Sequence, residues 1–264
     1  MIASFFQRLE STRVAYLLIS GQATILYGAA TFSEDVDLWI MPSTDNLERF
    51  AGVLRTVSAT YYKLTPPFDR EYALRGHGFH FVLRDDDGRG EVYLDVMGKP
   101  PRVGTFEAAA ADARTFDTDF GRVRTVGIKE LVELKKTQRP GDYPVISRLV
   151  TAFLDDVGPS PTAIDLRWAL DNTFGVGELR ALLRQHGSAY RKIASTLPEI
   201  VNRAVTELER AEEFVPAFED ELDAWLEMRS AALRRADRRY WREIIAELRE
   251  LRSRGELMKE GALV

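Results

Sequence analysis

The chain has 264 residues, 45% of them hydrophobic and 29% charged, which is enough to bury one large core or two modest ones. It contains no cysteine, which excludes disulfides, thiolate zinc sites and thiol nucleophiles. The formal net charge of −5 argues against indiscriminate nucleic-acid binding, and no apolar run approaches the roughly 20 residues of a membrane helix. The first residues lack the features of a secretory signal. We expect a cytoplasmic protein without membrane contact.

The chain has two parts that differ in their pattern of apolar residues. Up to about Gly127, strand-like runs alternate with helix-like ones; the predicted strands are residues 14–20, 35–40, 79–84, 91–97 and 122–126. After Gly127, apolar residues recur at three- and four-residue spacing, which is typical of helices. We therefore predict an α/β mixed-sheet domain over residues 1–140, followed by an all-α domain over residues 141–264.

The first predicted strand ends at Ser20 and Gly21, and the residues that follow, "QATILYGAA", are good helix formers. A glycine between strand and helix lets the backbone approach a ligand closely, and the first amides of a helix attract anions. Such a turn suits a phosphate group. The alternative is that the glycine is there for steric reasons only.

Two acids stand one residue apart in the next predicted strand, "DVDLWI". Strand alternation puts Asp35, Asp37 and Trp39 on one face. Carboxylates at adjacent same-face positions suit a hard cation such as Mg²⁺, whose other ligands are water and substrate phosphate. The alternative is a pair of acids in water at the sheet rim. Trp39 would stack on a nucleobase or simply cover the sheet.

A third acid, Asp95, lies within another predicted strand, "EVYLDVMG". Val92, Leu94 and Val96 form the apolar face of this strand, so Asp95 lies on the opposite face. Three carboxylates on two strands, beside a phosphate-binding turn, predict a site in which two metal ions bridge an attacking oxygen, the transferred phosphorus and a leaving pyrophosphate.

The order of these elements resembles the nucleotidyltransferase superfamily typified by DNA polymerase β. That pattern is a small pair, a helix, an acid-hydrophobic-acid triplet and a third acid on a later strand. The resemblance covers roughly residues 1–140. Within the superfamily, "SGQATILYG", "SEDVDL" and "ELKKTQRPGDYPVI" look most like the bacterial minimal and abortive-infection-type nucleotidyltransferases, several of which are toxins of toxin–antitoxin pairs or modify small molecules. Ser20 departs from the usual glycine.

The resemblance implies transfer of a nucleoside monophosphate from an NTP to an acceptor hydroxyl, with Mg²⁺ or Mn²⁺ and release of pyrophosphate. It implies that Asp35 and Asp37 hold the metal ions. It also implies that Asp95 completes one metal site and takes the proton of the attacking hydroxyl. Ser20 and Gly21 would hold the triphosphate.

Two cations in "LKKTQRPGD", Lys136 and Arg139, are further candidates for nucleotide binding. A lysine or arginine there would neutralise charge on the departing pyrophosphate. The alternative is a helix C-terminus, which favours cations, followed by "RPGD" as the stop signal.

We expect a nucleotidyltransferase, with tRNA or a protein as candidate acceptor, toxin-like and with an antitoxin protein as candidate partner. Two alternatives remain open. One is an antibiotic-modifying nucleotidyltransferase with a small-molecule acceptor. The other is a catalytically silent module that binds nucleotide or a protein partner, and Ser20 in place of the usual glycine is the argument for it. The acceptor itself is not identified.

The spacing of residues 79–84 and 91–97 predicts an antiparallel hairpin across "DDDGRG". Pairing Arg84 with Glu91 places Phe81 against Leu94 on the buried face and His80 against Asp95 on the other. His80 would then orient the third carboxylate by a hydrogen bond. The alternative is a histidine at the rim that faces water.

Two other segments have both a functional and a structural interpretation. In residues 60–80, Tyr62, Phe68 or Arg70 would contact a base or an acceptor, or else pack a surface loop. The arginine-rich C-terminal helix, which includes Arg238 and Arg239, would bind phosphate, or else be a solvated amphipathic helix. We favour the structural interpretation of both.

Overall fold

The protein is described from a computed structural model that covers residues 2–84 and 90–264. They form two compact units: Met1–Leu134 with Arg239–Val264, and Lys135–Arg238. The longest helix, α11 (Pro216–Arg254), contributes residues to both. Among the described residues, no helix has the length and apolar character needed to cross a bilayer.

The first unit is built on a seven-stranded mixed sheet in the order β3-β4-β5-β2-β1-β7-β6. The pairs β2/β5 and β1/β7 are parallel and the other neighbours are antiparallel. The strands are β1 Tyr16–Ile19, β2 Val36–Ile40, β3 Thr60–Tyr61, β4 Gly78–Arg84, β5 Glu91–Met97, β6 Arg114–Thr118 and β7 Gly121–Thr125. The predicted α/β mixed sheet is confirmed, and β3 and β6 are strands that the sequence pattern did not predict.

Helices of the first unit precede, connect or follow these strands along the chain. They are α1 Ile2–Ser11, α2 Ser20–Leu26, α3 Thr44–Thr56, α4 Arg70–Leu74, α5 Phe106–Ala111 and α6 Ile128–Lys135. One sheet face is apolar because alternate strand residues such as Leu38, Phe81 and Leu94 are fully buried. Phe50 of α3 packs edge-on against Phe81, with ring centroids 6.5 Å apart, so α3 covers this face.

The second unit is helical, as the three- and four-residue spacing predicted. Its helices are α7 Asp142–Val157, α8 Ala163–Asp171, α9 Val176–Lys192, α10 Glu199–Arg210 and the first part of α11. Helix α9 is kinked at His186, whose φ of −122° and ψ of 16° are not helical. Leu166, Leu179 and Val201 are buried and represent the apolar faces that hold these helices together.

The C-terminal residues protect one edge of the sheet. The amide of Tyr61 in β3 donates to the carbonyl of Ala262 at 2.9 Å, and the amide of Gly261 donates back to Tyr61 at 2.9 Å. Thr60 forms an antiparallel bridge with Leu263. An uncovered edge strand is a template for aggregation, so this tail occupies hydrogen-bonding groups that β3 would otherwise expose.

Candidate active site

Three polar side chains form a row across the second face of the sheet. Asp37 of β2 is the register partner of Asp95 in the parallel neighbour β5, and Asp95 is the partner of His80 in β4. Neighbouring strands are about 4.8 Å apart, so these three residues are adjacent. His80 and Asp95 keep side-chain exposures of 25% and 27%, so solvent and ligands reach the row.

The hairpin register predicted from the sequence is confirmed at every pair. Arg84 faces Glu91, with Nε donating to Oε1 at 2.8 Å, and Phe81 faces Leu94. Nδ1 of His80 lies 2.7 Å from Oδ1 of Asp95. Because an ionised carboxylate only accepts hydrogen bonds, Nδ1 carries the proton of this bond. Five residues of the predicted turn "DDDGRG", residues 85–89, lie outside the described residues.

Asp35 lies just before β2, two residues from Asp37, and is half-buried. Its carbonyl accepts a hydrogen bond of 3.3 Å from the hydroxyl of Ser33. The carbonyl of Ser33 in turn accepts one of 3.0 Å from Nε2 of Gln22 in α2. The first bond shapes the segment before β2, and the second ties that segment to the start of α2.

The turn Ser20-Gly21 begins α2 beside this segment, since the preceding Ile19 is the register partner of Asp37. Ser20 has a φ of +58°, in the left-handed region, which costs a residue with a side chain on the order of 1 kcal/mol. A Cβ at Gly21 would lie only 2.1 Å from the hydroxyl oxygen of Ser33. The glycine is therefore required by the approach of Ser33, a contact that no local sequence pattern indicates.

The acidic side chains of the first unit decide what kind of metal ion it can hold. Among residues 2–84 and 90–264, no group of three or more histidine, aspartate or glutamate side chains is arranged to hold a metal ion. Mg²⁺ is often held by only one or two carboxylates together with water and substrate phosphates. Asp37 and Asp95 are close enough in the sheet to be such a pair. The donors therefore fit an ion that arrives with a triphosphate, and not a preformed site of three protein ligands.

Trp39 follows Asp37 on the same face but is only 1% exposed. Its indole Nε1 donates to the carbonyl of Gly98 at 3.0 Å, and its ring meets Phe106 edge-on at 5.8 Å. Of the two roles considered for Trp39, the structure supports covering the sheet, since so little of the ring is open to a nucleobase.

The predicted phosphate-binding cations Lys136 and Arg139 belong to the second unit, whereas the three acids belong to the first. Around them, Asp142 organises the turn that follows α6: its carboxylate pairs with Lys135 at 3.3 Å and accepts a bond from the hydroxyl of Thr137. Arg139 is exposed and its amide donates to the same hydroxyl at 3.1 Å. Their role with nucleotide stays a prediction.

Comparison with known proteins gives distant likenesses. No protein-family model matches the chain, and no curated protein matches it. A candidate nucleotidyltransferase from Helicobacter pylori is 12% identical, with 90% of this chain and 95% of that one covered and a TM-score of 0.40. An antigenic nucleotidyltransferase-like protein from Paracoccidioides brasiliensis is 18% identical, with coverages of 78% and 90% and a TM-score of 0.40. JHP933 from Helicobacter pylori is 14% identical, with coverages of 87% and 91% and a TM-score of 0.37. Likenesses at this level do not assign a family or an activity to the chain.

Proposed function

We propose that the chain is a nucleotidyltransferase that moves a nucleoside monophosphate from an NTP to an acceptor hydroxyl and releases pyrophosphate. The observation that carries the proposal is the pairing of Asp37 with Asp95 on neighbouring parallel strands, with Asp35 two residues upstream and Ser20-Gly21 at the adjacent strand end. Carboxylates on neighbouring strands are the ligands that a hard cation takes when it arrives with a triphosphate, which supports a binding role.

A bound Mg²⁺ or Mn²⁺ would offset negative charge on the triphosphate and on the leaving pyrophosphate. Asp37 and Asp95 are the side chains that would hold it, with Asp35 as the third carboxylate of the proposal. Asp95 would also accept the proton of the attacking hydroxyl. His80 keeps that carboxylate oriented through the bond to Nδ1.

The remaining proposed contacts concern the triphosphate. Ser20 and Gly21 would bind it through backbone amides at the end of β1. Lys136 and Arg139 would neutralise charge that develops on the pyrophosphate. The acceptor of the proposal is a hydroxyl of tRNA, of a protein or of a small molecule such as an antibiotic. An antitoxin protein is the proposed partner for a toxin-like member.

A second candidate is a module that binds nucleotide without transferring it. Two observations favour this candidate: the strained backbone of Ser20, where the resembling enzymes have glycine, and the lack of a three-ligand cluster among the described residues. Such a module would keep the carboxylate pair for a nucleotide-bound cation but would lack the geometry for transfer.

The deciding experiment combines binding with transfer. The protein is incubated with each α-labelled NTP, Mg²⁺ and total cell extract, and the label is followed into RNA, protein and small-molecule fractions. We expect label in one fraction and its loss by at least about a hundredfold in Asp37→Asn, as when a group that stabilises charge in the transition state is removed. Asp117→Asn, on the exposed strand β6, is the matched control. Binding of MgNTP without transfer would select the silent module, and neither binding nor transfer would exclude both.

A further inference from the structure

A cavity of about 390 Å³ lies in the first unit at the end of the parallel pair β2/β5. Its lining includes Trp39 and Met41 from β2 and the residues after it, and Gly98 and Lys99 directly after β5. In open α/β sheets, ligands commonly bind just outside the carboxyl ends of parallel strands. We call it the Arg70–Lys99 cavity, after the two cations in its lining.

The walls of this cavity are fixed by two helix caps. Ser43 accepts a hydrogen bond of 3.4 Å from the amide of Asn46 at the start of α3, and Thr105 accepts one of 3.3 Å from Ala108 in α5. Apolar surface comes from Phe106 and Leu74. Two walls therefore belong to capped helices, and a third, Trp39, belongs to the sheet, so these parts of the lining are held by the fold.

The two cations in the lining lack carboxylate partners. Within the described part of the chain, neither Arg70 nor Lys99 forms a salt bridge, whereas Arg75, at the end of the same helix α4, pairs with Glu71 and Glu247. One carboxylate, that of Glu107, also lines the cavity. The lining therefore carries a net positive charge in a chain whose overall charge is −5.

Size and lining together define the class of ligand. Small-molecule sites in proteins occupy about 300–1,000 Å³ and combine apolar walls with a few polar groups, so this cavity is of a size for a small organic molecule. Unpaired cations favour an anion, and the planar guanidinium of Arg70 matches a carboxylate or phosphate.

We propose that the Arg70–Lys99 cavity binds a small organic anion, with a carboxylate or phosphate head on an apolar body. The head lies at Arg70 and Lys99, and the body packs against Phe106 and Leu74. The cavity is lined by residues other than Asp35, Asp37 and Asp95. The proposal therefore does not depend on whether the chain transfers nucleotides.

Calorimetric titration of the full-length chain with four probes tests the proposal. The probes are 1-naphthyl phosphate, 1-naphthoate, the neutral 1-naphthalenemethanol and inorganic phosphate. We expect saturable binding of at least one naphthyl anion, and binding of the neutral probe and of inorganic phosphate that is weaker by about tenfold or more, because each lacks one half of the ligand. The tighter of the two anions identifies the head group as phosphate or carboxylate.

Three variants separate the cavity from general charge effects. Arg70→Gln with Lys99→Gln should weaken binding of the naphthyl anion by about tenfold or more. Glu107→Gln should tighten it about threefold, because a repelling carboxylate is gone. The matched control, Arg55→Gln with Lys259→Gln, removes two exposed cations of the same unit outside the cavity and should leave the dissociation constant within twofold.

Exposed and unpaired side chains are removed in the Arg70 and Lys99 variant, so its thermal unfolding should match the parent chain. Failure of both naphthyl anions to bind would overturn the proposal. So would equal affinity for the anions and the neutral probe, or unchanged affinity in the Arg70 and Lys99 variant. Should that variant unfold, the Glu107→Gln titration decides: unchanged or weaker anion binding there would equally overturn the assignment.

Discussion

His80 donates a hydrogen bond of 2.7 Å to Asp95, and Asp95 lies directly beside Asp37 in the parallel pairing of β5 with β2. The histidine thus fixes one carboxylate of a pair, and the amide of His80 is itself held by the hydroxyl of Thr65 at 3.2 Å. An oriented carboxylate next to a second one is an arrangement that binds a cation better than two freely rotating acids. The histidine therefore acts on the site through Asp95.

Replacement of Asp37 by Asn should abolish divalent-dependent nucleotide binding and leave the fold intact or slightly more stable. The substitution removes one of two adjacent negative charges, which relieves repulsion when no cation is present. Calorimetry of the variant with MgATP and MgCTP, with thermal unfolding alongside, measures both effects. Asp117→Asn should bind as the parent chain does. Nucleotide binding by Asp37→Asn at parent affinity would contradict the metal-site proposal.

Loss of the bond from His80 should reduce catalysis more than stability. His80→Leu is expected to lower kcat about tenfold at unchanged KM for the NTP, and to cost about 1 kcal/mol of unfolding free energy, the usual contribution of one hydrogen bond. His80→Gln retains a donor and should recover part of kcat. Steady-state kinetics and urea unfolding of both variants are the measurements. A parent kcat in His80→Leu would remove His80 from the site.

The sequence predicted those features that rest on local alternation. The β4/β5 register followed from Arg84 facing Glu91, because opposite charges across a ladder are favourable and a one-residue slip would turn Phe81 away from the core. Strand β3 escaped prediction because its two residues become a strand only through β4 and the C-terminal tail, far away along the chain. The contact of Ser33 with Gly21 was not predicted either, because it also joins two separate segments of the chain.

The exposed arginines of α11 are expected to contribute little to stability or to transfer activity. Arg238 and Arg239 both face solvent. Changing both to Gln should alter the free energy of unfolding by under about 1 kcal/mol, as for most exposed ion pairs, and leave transfer activity within a few-fold. Activity on RNA, protein and small-molecule acceptors is measured together with urea unfolding. A large loss on an RNA acceptor at unchanged stability would instead assign this surface to RNA binding.

Arg229 of the same helix should contribute to stability, because its guanidinium donates hydrogen bonds to the end of α8. Burial lowers the pKa of this guanidinium. Nη2 donates to the carbonyls of Leu170 at 3.2 Å and Asp171 at 2.8 Å, and the guanidinium lies 4.5 Å from the ring centroid of Trp225. Arg229→Met should cost about 2 kcal/mol, since carbonyls at the partly buried end of α8 lose charged donors.

Arg229→Lys keeps the charge but loses the planar stacking on Trp225 and the forked donors, and it should recover less than half of that loss. The exposed Arg235→Gln is the matched control and should stay within about 0.5 kcal/mol of the parent chain. Urea unfolding at neutral pH measures all three. Full stability of Arg229→Met would show that these hydrogen bonds do not hold the end of α8.

Tyr16 in β1 should make the stability of the protein depend on pH under alkaline conditions. Burial raises the pKa of its hydroxyl to about 12, whereas the same group titrates near 10 in the unfolded chain. Below pH 10 both states keep the proton, and the stabilisation is fully present. Between pH 10 and 12 only the folded state keeps it, so stability falls as the pH rises, by about 1 kcal/mol per pH unit.

Urea unfolding at pH 9, 10 and 11 tests this dependence. Tyr16→Phe has no proton to lose at this position, so its stability should fall less between pH 10 and 11 than that of the parent chain, by about 1 kcal/mol. The comparison uses slopes because other groups also titrate in this range and contribute equally to both chains. If Tyr16→Phe and the parent chain lose stability in parallel, the hydroxyl of Tyr16 is not protected from ionisation by the fold.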